Sequence, residues 1–330
     1  MKAALYEKYG DAGVLSVGDV VRPEPGKDEI LVKVYSAAVT TADWRLRASA
    51  FPGVMWLPGR LMFGLRRPRN PILGNAFSGR VVSRGSEVER FRLGDAVFGF
   101  AQGAHAEYLV VKADGAVAHK PKAITYEEAA AVPFGAISAL VFLRDFAKVK
   151  PGEKVLVNGA SGAVGVWAVQ LARYLGASVT GVAGTDNLDL VKSLGAGKVV
   201  DYRREDVADT GTDFDVVLDP VGKLPYSVAK RVLKPGGRYV PLEFSGREMI
   251  QALVAKLTGG PKIVLAISND SRDDLEYLAG LLDKGEIRAV VDSRFPLGDI
   301  ADAHRRVETR HVRGSVVLSL ETPEATAVAA

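Results

Sequence analysis

The sequence predicts an α/β protein, a doubly wound parallel sheet joined to a β-rich domain, on three observations. From about Ala129 onward, compact apolar runs alternate with stretches of helical spacing. Inside that region one run passes straight into a glycine-rich turn and an amphipathic stretch, Lys154-Val155-Leu156-Val157-Asn158-Gly159-Ala160-Ser161-Gly162-Ala163-Val164-Gly165. Before about Tyr126, by contrast, short strand-like runs are broken at glycine and proline.

In the first part, Ile30–Tyr35 and Ala96–Phe100 are rich in Val, Ile, Leu and Phe, and Gly26, Gly79, Gly85, Gly94 and Gly103 stand at joints. In the second, Val155–Val157, Val179–Val182, Val199–Val200, Val216–Leu218 and Tyr239–Leu242 have the length of strands buried on both faces. Between them, Val164, Trp167, Ala168, Leu171, Ala172 and Leu175 recur at helical spacing until Gly176. Leu188, Val191 and Leu194 do so until Gly195, and a third helix runs towards Leu233 and stops at Pro235-Gly236-Gly237. Such alternation implies parallel strands with right-handed crossovers. After Ile267 come an amphipathic helix, Asp273–Lys284, and short strands near Val290–Phe295 and Ser315–Leu318. The simplest arrangement returns this piece to the first domain, giving residues 1–125 with 267–330, and 126–266.

Composition bounds the function. A chain of 330 residues can build two cores, and 48% hydrophobic with 25% charged residues is a globular composition. The net charge of +4 is spread among acids, so no nucleic-acid partner is expected. Cysteine is absent, which removes disulfides, thiolate nucleophiles and cysteine-held metals. No apolar run approaches the roughly 20 residues that span a bilayer, and MKAALYEKYG lacks the apolar stretch of a secretory signal. A cytoplasmic protein without stable membrane insertion is expected. Glu321–Ala330 reads as a loose tail.

The strand–turn–helix order around Gly159–Gly165 is the context that makes a glycine pattern a dinucleotide-binding fingerprint of the Rossmann type. Glycines let the backbone approach a pyrophosphate, whose charge then meets the positive end of a helix. NAD binders usually carry a carboxylate at the end of the second strand, bonding the ribose hydroxyls. Here Ser178–Val182 is followed by Ala183-Gly184-Thr185, which leaves room for the extra phosphate of NADPH. Tyr202, Arg203 and Arg204 either line that space or form a solvated loop, and Asp186 weighs towards NADH. NADPH rather than NADH is the expected cofactor.

Over nearly its whole length the chain resembles the medium-chain dehydrogenases/reductases, in the zinc-independent quinone oxidoreductase, or zeta-crystallin-like, group. The resemblance rests on Ala160–Gly165, on Val132-Pro133-Phe134-Gly135-Ala136-Ile137-Ser138-Ala139-Leu140, and on Phe91-Arg92-Leu93-Gly94-Asp95-Ala96-Val97-Phe98-Gly99. It implies a GroES-like catalytic domain, a Rossmann domain, an active site in the cleft between them, and a homodimer. The zinc enzymes of this superfamily place a Cys near Thr40–Asp43 and a Gly-His-Glu where this chain has Gly74-Asn75-Ala76, and their cysteine-rich lobe is replaced by Ala101–Tyr108. His105, His119, His304 and His311 show no metal-ligand spacing and read as structural or surface residues. No metal is expected.

By position in the resembling family, Thr40, Asp43, Arg45 and Asn75 are the catalytic candidates, with Asp43 and Asn75 either meeting the acceptor or fixing loops. Relatives often carry Asn at Thr40 and tyrosines at Arg45 and Phe51, so water is as good a proton source as any side chain. The resemblance places Ser138, Pro220, Val221, Leu242 and Phe244 near the nicotinamide. The phosphate end then takes Ala160, Ser161, Gly162, Ala163, Val164, Gly165, Thr185, Tyr202, Arg203 and Arg310. Resembling NADPH enzymes have a Lys at Leu188, which is missing, and an Arg at Arg310, which is kept. Without zinc, a conjugated acceptor is the easier substrate, because the charge of the product spreads onto an oxygen that needs only hydrogen bonds. The expected function is NADPH-dependent reduction of a quinone or α,β-unsaturated carbonyl. The alternatives are a zinc-free alcohol/carbonyl dehydrogenase and a non-catalytic NADPH-binding sensor.

One segment stands apart. Phe51–Arg69 interleaves Met55, Trp56, Leu57, Leu61, Met62, Phe63 and Leu65 with Arg60, Arg66, Arg67 and Arg69, and its prolines and glycines forbid one long helix. Its apolar groups are expected to be buried. It reads as a mobile rim of the substrate cleft, a packed loop, or a contact with an anionic membrane.

Overall fold

Two sheets carry the architecture of the computed structural model, which describes residues 1–51, 53, 56–211, 213–268 and 271–320. The tail expected at Glu321–Ala330, and Met55, lie outside those residues. In chain order the strands are β1 (Lys2–Tyr6), β2 (Leu15–Asp19), β3 (Glu29–Val39), β4 (Ala76–Arg84), β5 (Ala96–Phe100), β6 (Tyr108–Lys112) and β7 (Val117–His119). They continue as β8 (Lys154–Asn158), β9 (Ser178–Ala183), β10 (Lys198–Asp201), β11 (Phe214–Asp219), β12 (Leu233–Pro241), β13 (Lys262–Ile263), β14 (Val291–Pro296) and β15 (Ser315–Ser319). The helices are α1 (Thr41–Ala48), α2 (Trp56–Phe63), α3 (Tyr126–Ala130), α4 (Val132–Val141) and α5 (Gly165–Tyr174). After them come α6 (Leu188–Ser193), α7 (Tyr226–Val232), α8 (Gly246–Thr258), α9 (Arg272–Asp283) and α10 (Ile300–Glu308). None of these helices is long and apolar enough to cross a membrane.

The chain divides into two compact units. One holds Met1–Phe51, Gly59–Phe134 and the described residues beyond Asp270, and the other holds Gly135–Asn269 with the stretch around Gly53–Pro58. In the first, β3 is the spine of a sheet ordered β14-β15-β3-β4-β5-β7, with β6 also paired to β3. Its pairings are antiparallel except β14 with β15. Ile30, Val32, Phe77, Phe91, Val97 and Val117 form its main core. On α10, Ile300, Ala303 and Val307 recur at helical spacing and pack with Val39, Val316 and Leu318.

The second unit is the alternating α/β region. Its sheet is parallel throughout and ordered β10-β9-β8-β11-β12-β13. Counted along the chain this is 3-2-1-4-5-6, so the order reverses between β8 and β11, and ligands of such sheets bind at that point. Val155, Leu156 and Val157 are fully buried, as strands covered on both faces must be.

Two features depart from expectation. Helix α5 is buried from Gly165 through Ala172, not along one face only. The cause is α4 on its outer side: a Cβ at Gly135 would collide with Ala163 O and the Trp167 ring. Helix α7 ends at Val232, before the expected stop at Pro235–Gly237. Leu233 already pairs with Phe214, and the ladder resumes at Arg238 with Val216, so Pro235-Gly236-Gly237 form a bulge in β12.

Candidate functional site

In the second unit the turn after β8 is shaped by three close approaches. Gly159 has φ of +74°, which favours glycine, and a Cβ there would strike Val221. A Cβ at Gly165 would strike Gly159 O and the Ala160 backbone, so the start of α5 sits directly on the end of β8. The N-cap position of α5 is Val164, which offers no side-chain bond. Helix N-termini carry unsatisfied N–H groups and partial positive charge, so this uncapped end is a place for an anion. Ala160, Ser161, Gly162 and Ala163 complete the turn, where Asn187 Nδ2 donates to Ser161 Oγ at 3.2 Å.

Sequence reasoning missed the residue that organises the next turn. Asp219, at the end of β11, is fully buried. Its carboxylate accepts from Asn158 Nδ2 at 2.7 Å and from the amides of Val221, Gly222 and Leu224 at 3.2, 3.1 and 2.9 Å. Burial pushes its carboxyl above the usual carboxylate range against the pull of these donors. The result joins β8 to β11 and folds Pro220-Val221-Gly222 back over Gly159. Leu242 N donates to Asp219 O at 3.1 Å, and a Cβ at Gly222 would meet Glu243 Cβ at 2.8 Å. Thus Gly159–Gly165, Pro220, Val221 and Leu242 converge at the switch point, and Phe244 follows two residues after Leu242. Ser138 stands half-buried on α4, one turn after Gly135.

The far end of the sheet holds the other cofactor candidates. Thr185, just after β9, donates from its hydroxyl to Asp201 Oδ2 at 2.5 Å and holds that carboxyl below the usual range. Arg203 Nη1 lies 3.1 Å from Asp186 Oδ2, and Arg204 Nε is 3.6 Å from Asp201. A Cβ at Gly184 would be 3.4 Å from both the Arg203 guanidinium and the Tyr202 hydroxyl. So a tyrosine and an arginine stand beside Gly184 at the end of the second strand, and the two carboxylates there, Asp201 and Asp186, are engaged by Thr185 and Arg203. Arg310 belongs to the first unit, with φ of +57° and its guanidinium 5.2 Å from the Trp44 ring.

In the first unit Thr40, Asp43 and Asn75 come together. Thr40 caps α1, with its hydroxyl donating to Asp43 Oδ2 at 2.6 Å and its amide donating to the same oxygen at 2.8 Å. The other oxygen, Asp43 Oδ1, accepts from Gly74 N at 3.0 Å and Asn75 Nδ2 at 3.3 Å. Asp43 is fully buried. It therefore fastens the start of α1 to the Gly74-Asn75 turn, and the Thr40 proton is committed to it. Asn75, half-buried, keeps a second amide proton, and Arg45 follows on α1.

Behind this corner is a polar cluster that the sequence did not announce. A Cβ at Gly74 would strike the His105 ring. His105 and His304 are fully buried with ring centroids 6.0 Å apart, and His105 Nε2 lies 3.0 Å from Ala38 O. Arg47, also fully buried, reaches Glu308 at 2.9 Å. His119 and His311 are exposed, as surface histidines. Among the described residues no group of three or more His, Asp or Glu could hold a metal ion. Asp43 is already filled by four donors, and no thiol exists, so these residues do not fit zinc.

Segment 51–69 contradicts the expected burial. Helix α2 forms, but Trp56, Leu57, Leu61, Met62 and Leu65 are exposed, and among the described residues of the segment only Gly59, Gly64 and Pro68 are buried. Phe63 stacks on Phe51, ring centroids 5.8 Å apart, and this contact helps to hold the helix.

Known proteins are similar to this chain in sequence and fold. Residues 26–122 match the alcohol dehydrogenase GroES-like domain, and residues 194–318 match a family described as zinc-binding dehydrogenase. The chain is 32% identical to the chloroplastic quinone-oxidoreductase homolog of Spinacia oleracea, over 96% of this chain and 98% of that one. It is also 32% identical to the chloroplastic NADPH-dependent alkenal/one oxidoreductase of Arabidopsis thaliana, over 96% and 79%. Among solved structures, the quinone oxidoreductase from Coxiella burnetii superposes with a TM-score of 0.85 at 30% identity, covering 97% of this chain and 99% of that one.

Proposed function

Because the chain belongs to the zinc-independent quinone oxidoreductase group of the medium-chain dehydrogenases/reductases, we propose that it reduces a quinone or α,β-unsaturated carbonyl with NADPH. The observation that carries the reading is the convergence of the Gly159–Gly165 turn, the Asp219 turn and Leu242 at the switch point of the parallel sheet. The turn fits a dinucleotide, since Gly159 and Gly165 let it close tightly on Val221 and Ala160 and leave the uncapped start of α5 for a pyrophosphate. When bound, the nicotinamide supplies a hydride.

The chain's residues do the rest. The turn and the N-terminus of α5 bind the pyrophosphate, and Ser138, Val221, Leu242 and Phe244 orient the ring. Thr185, Tyr202 and Arg203 take the ribose and its 2′-phosphate, with Arg310 as a further phosphate contact. That preference for NADPH is supported by the tyrosine and arginine beside Gly184 and by the Arabidopsis relative, whose name is NADPH-dependent. Negative charge arriving on the acceptor oxygen is met by the second Asn75 amide proton and by Arg45. Asp43 and Thr40 hold those donors in place, and water delivers the proton.

A homodimer and a cytoplasmic location complete the reading. The first is supported by the exposed apolar stripe of α8, Met249, Ile250, Leu253, Val254 and Leu257, and the second by the lack of cysteine. The test is a steady-state panel of a quinone, an enone, an aldehyde and an alcohol with either cofactor, before and after chelation. Turnover of the quinone or enone, indifferent to chelator, is expected. Chelator-sensitive alcohol oxidation overturns the reading, as does tight NADPH binding without any turnover.

A further inference from the structure

Between Asp43 and Glu87 the chain has eight arginines, no lysine and no acidic residue. The whole protein carries a net charge of only +4, so this stretch concentrates positive charge that acids elsewhere offset. Arg47 is buried on Glu308, and Arg60 lies over the Tyr9 ring at 4.0 Å. Arg66, Arg67 and Arg69 are exposed. They follow directly on α2, whose Trp56, Leu57, Leu61 and Met62 are 49–65% exposed, and on the exposed Leu65.

This surface is held, not dangling. The Tyr9 hydroxyl donates to Gly64 O at 2.8 Å, Arg69 N donates to Phe63 O at 2.9 Å, and the Arg60 guanidinium bonds Leu65 O. Phe51 and Phe63 stack beneath it. With the inner side so fastened, leucine and methionine point outward next to three arginines. Large apolar groups kept in water are costly unless something covers them. An aliphatic face with tryptophan and a basic border suits the boundary between acyl chains and anionic headgroups.

We propose that α2 and the arginine turn behind it are a docking surface for an anionic lipid membrane. A second copy of the chain fits less well, because a two-fold contact would set the same arginines against each other. Nucleic acid fits less well too, since the exposed apolar groups are mainly aliphatic and offer little stacking. The surface is peripheral, as none of the described helices crosses a bilayer. The inference does not depend on which acceptor the enzyme reduces.

Co-sedimentation of the intact protein with vesicles tests it. Phosphatidylcholine vesicles are compared with vesicles in which about a third of the lipid is phosphatidylglycerol, at low and high salt. Binding is expected only to the anionic vesicles and to weaken with salt. Arg66→Ala/Arg67→Ala should reduce the partition coefficient roughly thirtyfold, and Leu61→Ser/Met62→Ser should also reduce it, both at the parent melting temperature. Equal binding to neutral and anionic vesicles overturns the proposal, as does parental binding by both variants. If no vesicle binding occurs and Leu61→Ser/Met62→Ser instead abolishes self-association, the surface is a protein interface. If that variant only raises the KM for a bulky quinone, it is a rim of the substrate site.

Discussion

Arg203 and Asp186 form an ion pair, Nη1 to Oδ2 at 3.1 Å, at the corner where the second strand ends. Both side chains are more than half exposed, so the pair is easily exchanged for a stronger partner. A 2′-phosphate carries more charge than Asp186 and accepts a charge-assisted bond. Arg203→Ala should weaken NADPH binding roughly tenfold or more and leave NADH unchanged. Asp186→Asn should tighten NADPH a few-fold. Fluorescence titration of both cofactors measures this, and equal losses for NADPH and NADH would remove Arg203 from the phosphate site.

Gly165→Ala places a methyl group on the Gly159 carbonyl and the Ala160 backbone. Backbone cannot yield as a flexible side chain does, and overpacking of this kind costs about 1–3 kcal/mol. The turn must open, so NADPH affinity should fall by roughly tenfold or more with a modest loss of melting temperature. An unchanged Kd would mean that this approach does not shape the cofactor site.

Asp43→Asn replaces one acceptor oxygen by a donor inside a buried network. Either the Thr40 pair or the Gly74-Asn75 pair then loses its acceptor. Leaving a buried donor unsatisfied costs about 1–3 kcal/mol. The expected outcome is a lowered melting temperature and a lowered kcat, with NADPH affinity intact. Unchanged kcat despite lost stability would confine Asp43 to holding the loop.

How much of this was legible in the sequence can be seen at Asp219 and Asp43. The glycine turn announces itself because strand, turn and helix are adjacent in the chain, and the parallel sheet follows from the alternation of short apolar runs with helical ones. Asp219 stands in Leu218-Asp219-Pro220-Val221-Gly222, and a carboxylate at a strand end before a turn is a signal for bonds to the amides just after it. Its grip on Asn158 joins residues 61 apart, which no local pattern contains. Thr40 and Asp43 can be read as a capping box, yet the bond from Asp43 to Gly74 spans 31 residues. The exposure of Leu61 and Met62 was misjudged because apolar spacing says which side chains share a face, not whether anything covers it.

His304 predicts the behaviour at acid pH. Burial, helped by His105 and Arg47, holds its pKa well below the ordinary 6.5. The unfolded chain takes up a proton near that value while the folded one does not. Stability from this residue is therefore complete above pH 6.5 and is lost as pH falls below it, by at most about 1.4 kcal/mol per pH unit. Melting temperature should drop between about pH 7 and pH 5, and less steeply in His304→Leu. Parallel curves for the two proteins would show that another group governs the loss.

The strand β15 has a consequence for the birth of the protein. It lies between β14 and β3, so the larger sheet joins segments about 280 residues apart along the chain. The smaller sheet, β8 to β13, is contiguous and is complete once Ile263 has been made. On the ribosome the interior sheet can therefore be completed before the larger one. The amino-terminal strands wait with β3 unclosed on the side that β15 will cover, an open edge in the meantime. Refolding from denaturant should repeat that order, with a fast phase from the parallel sheet and a slower one from the sheet that β15 closes.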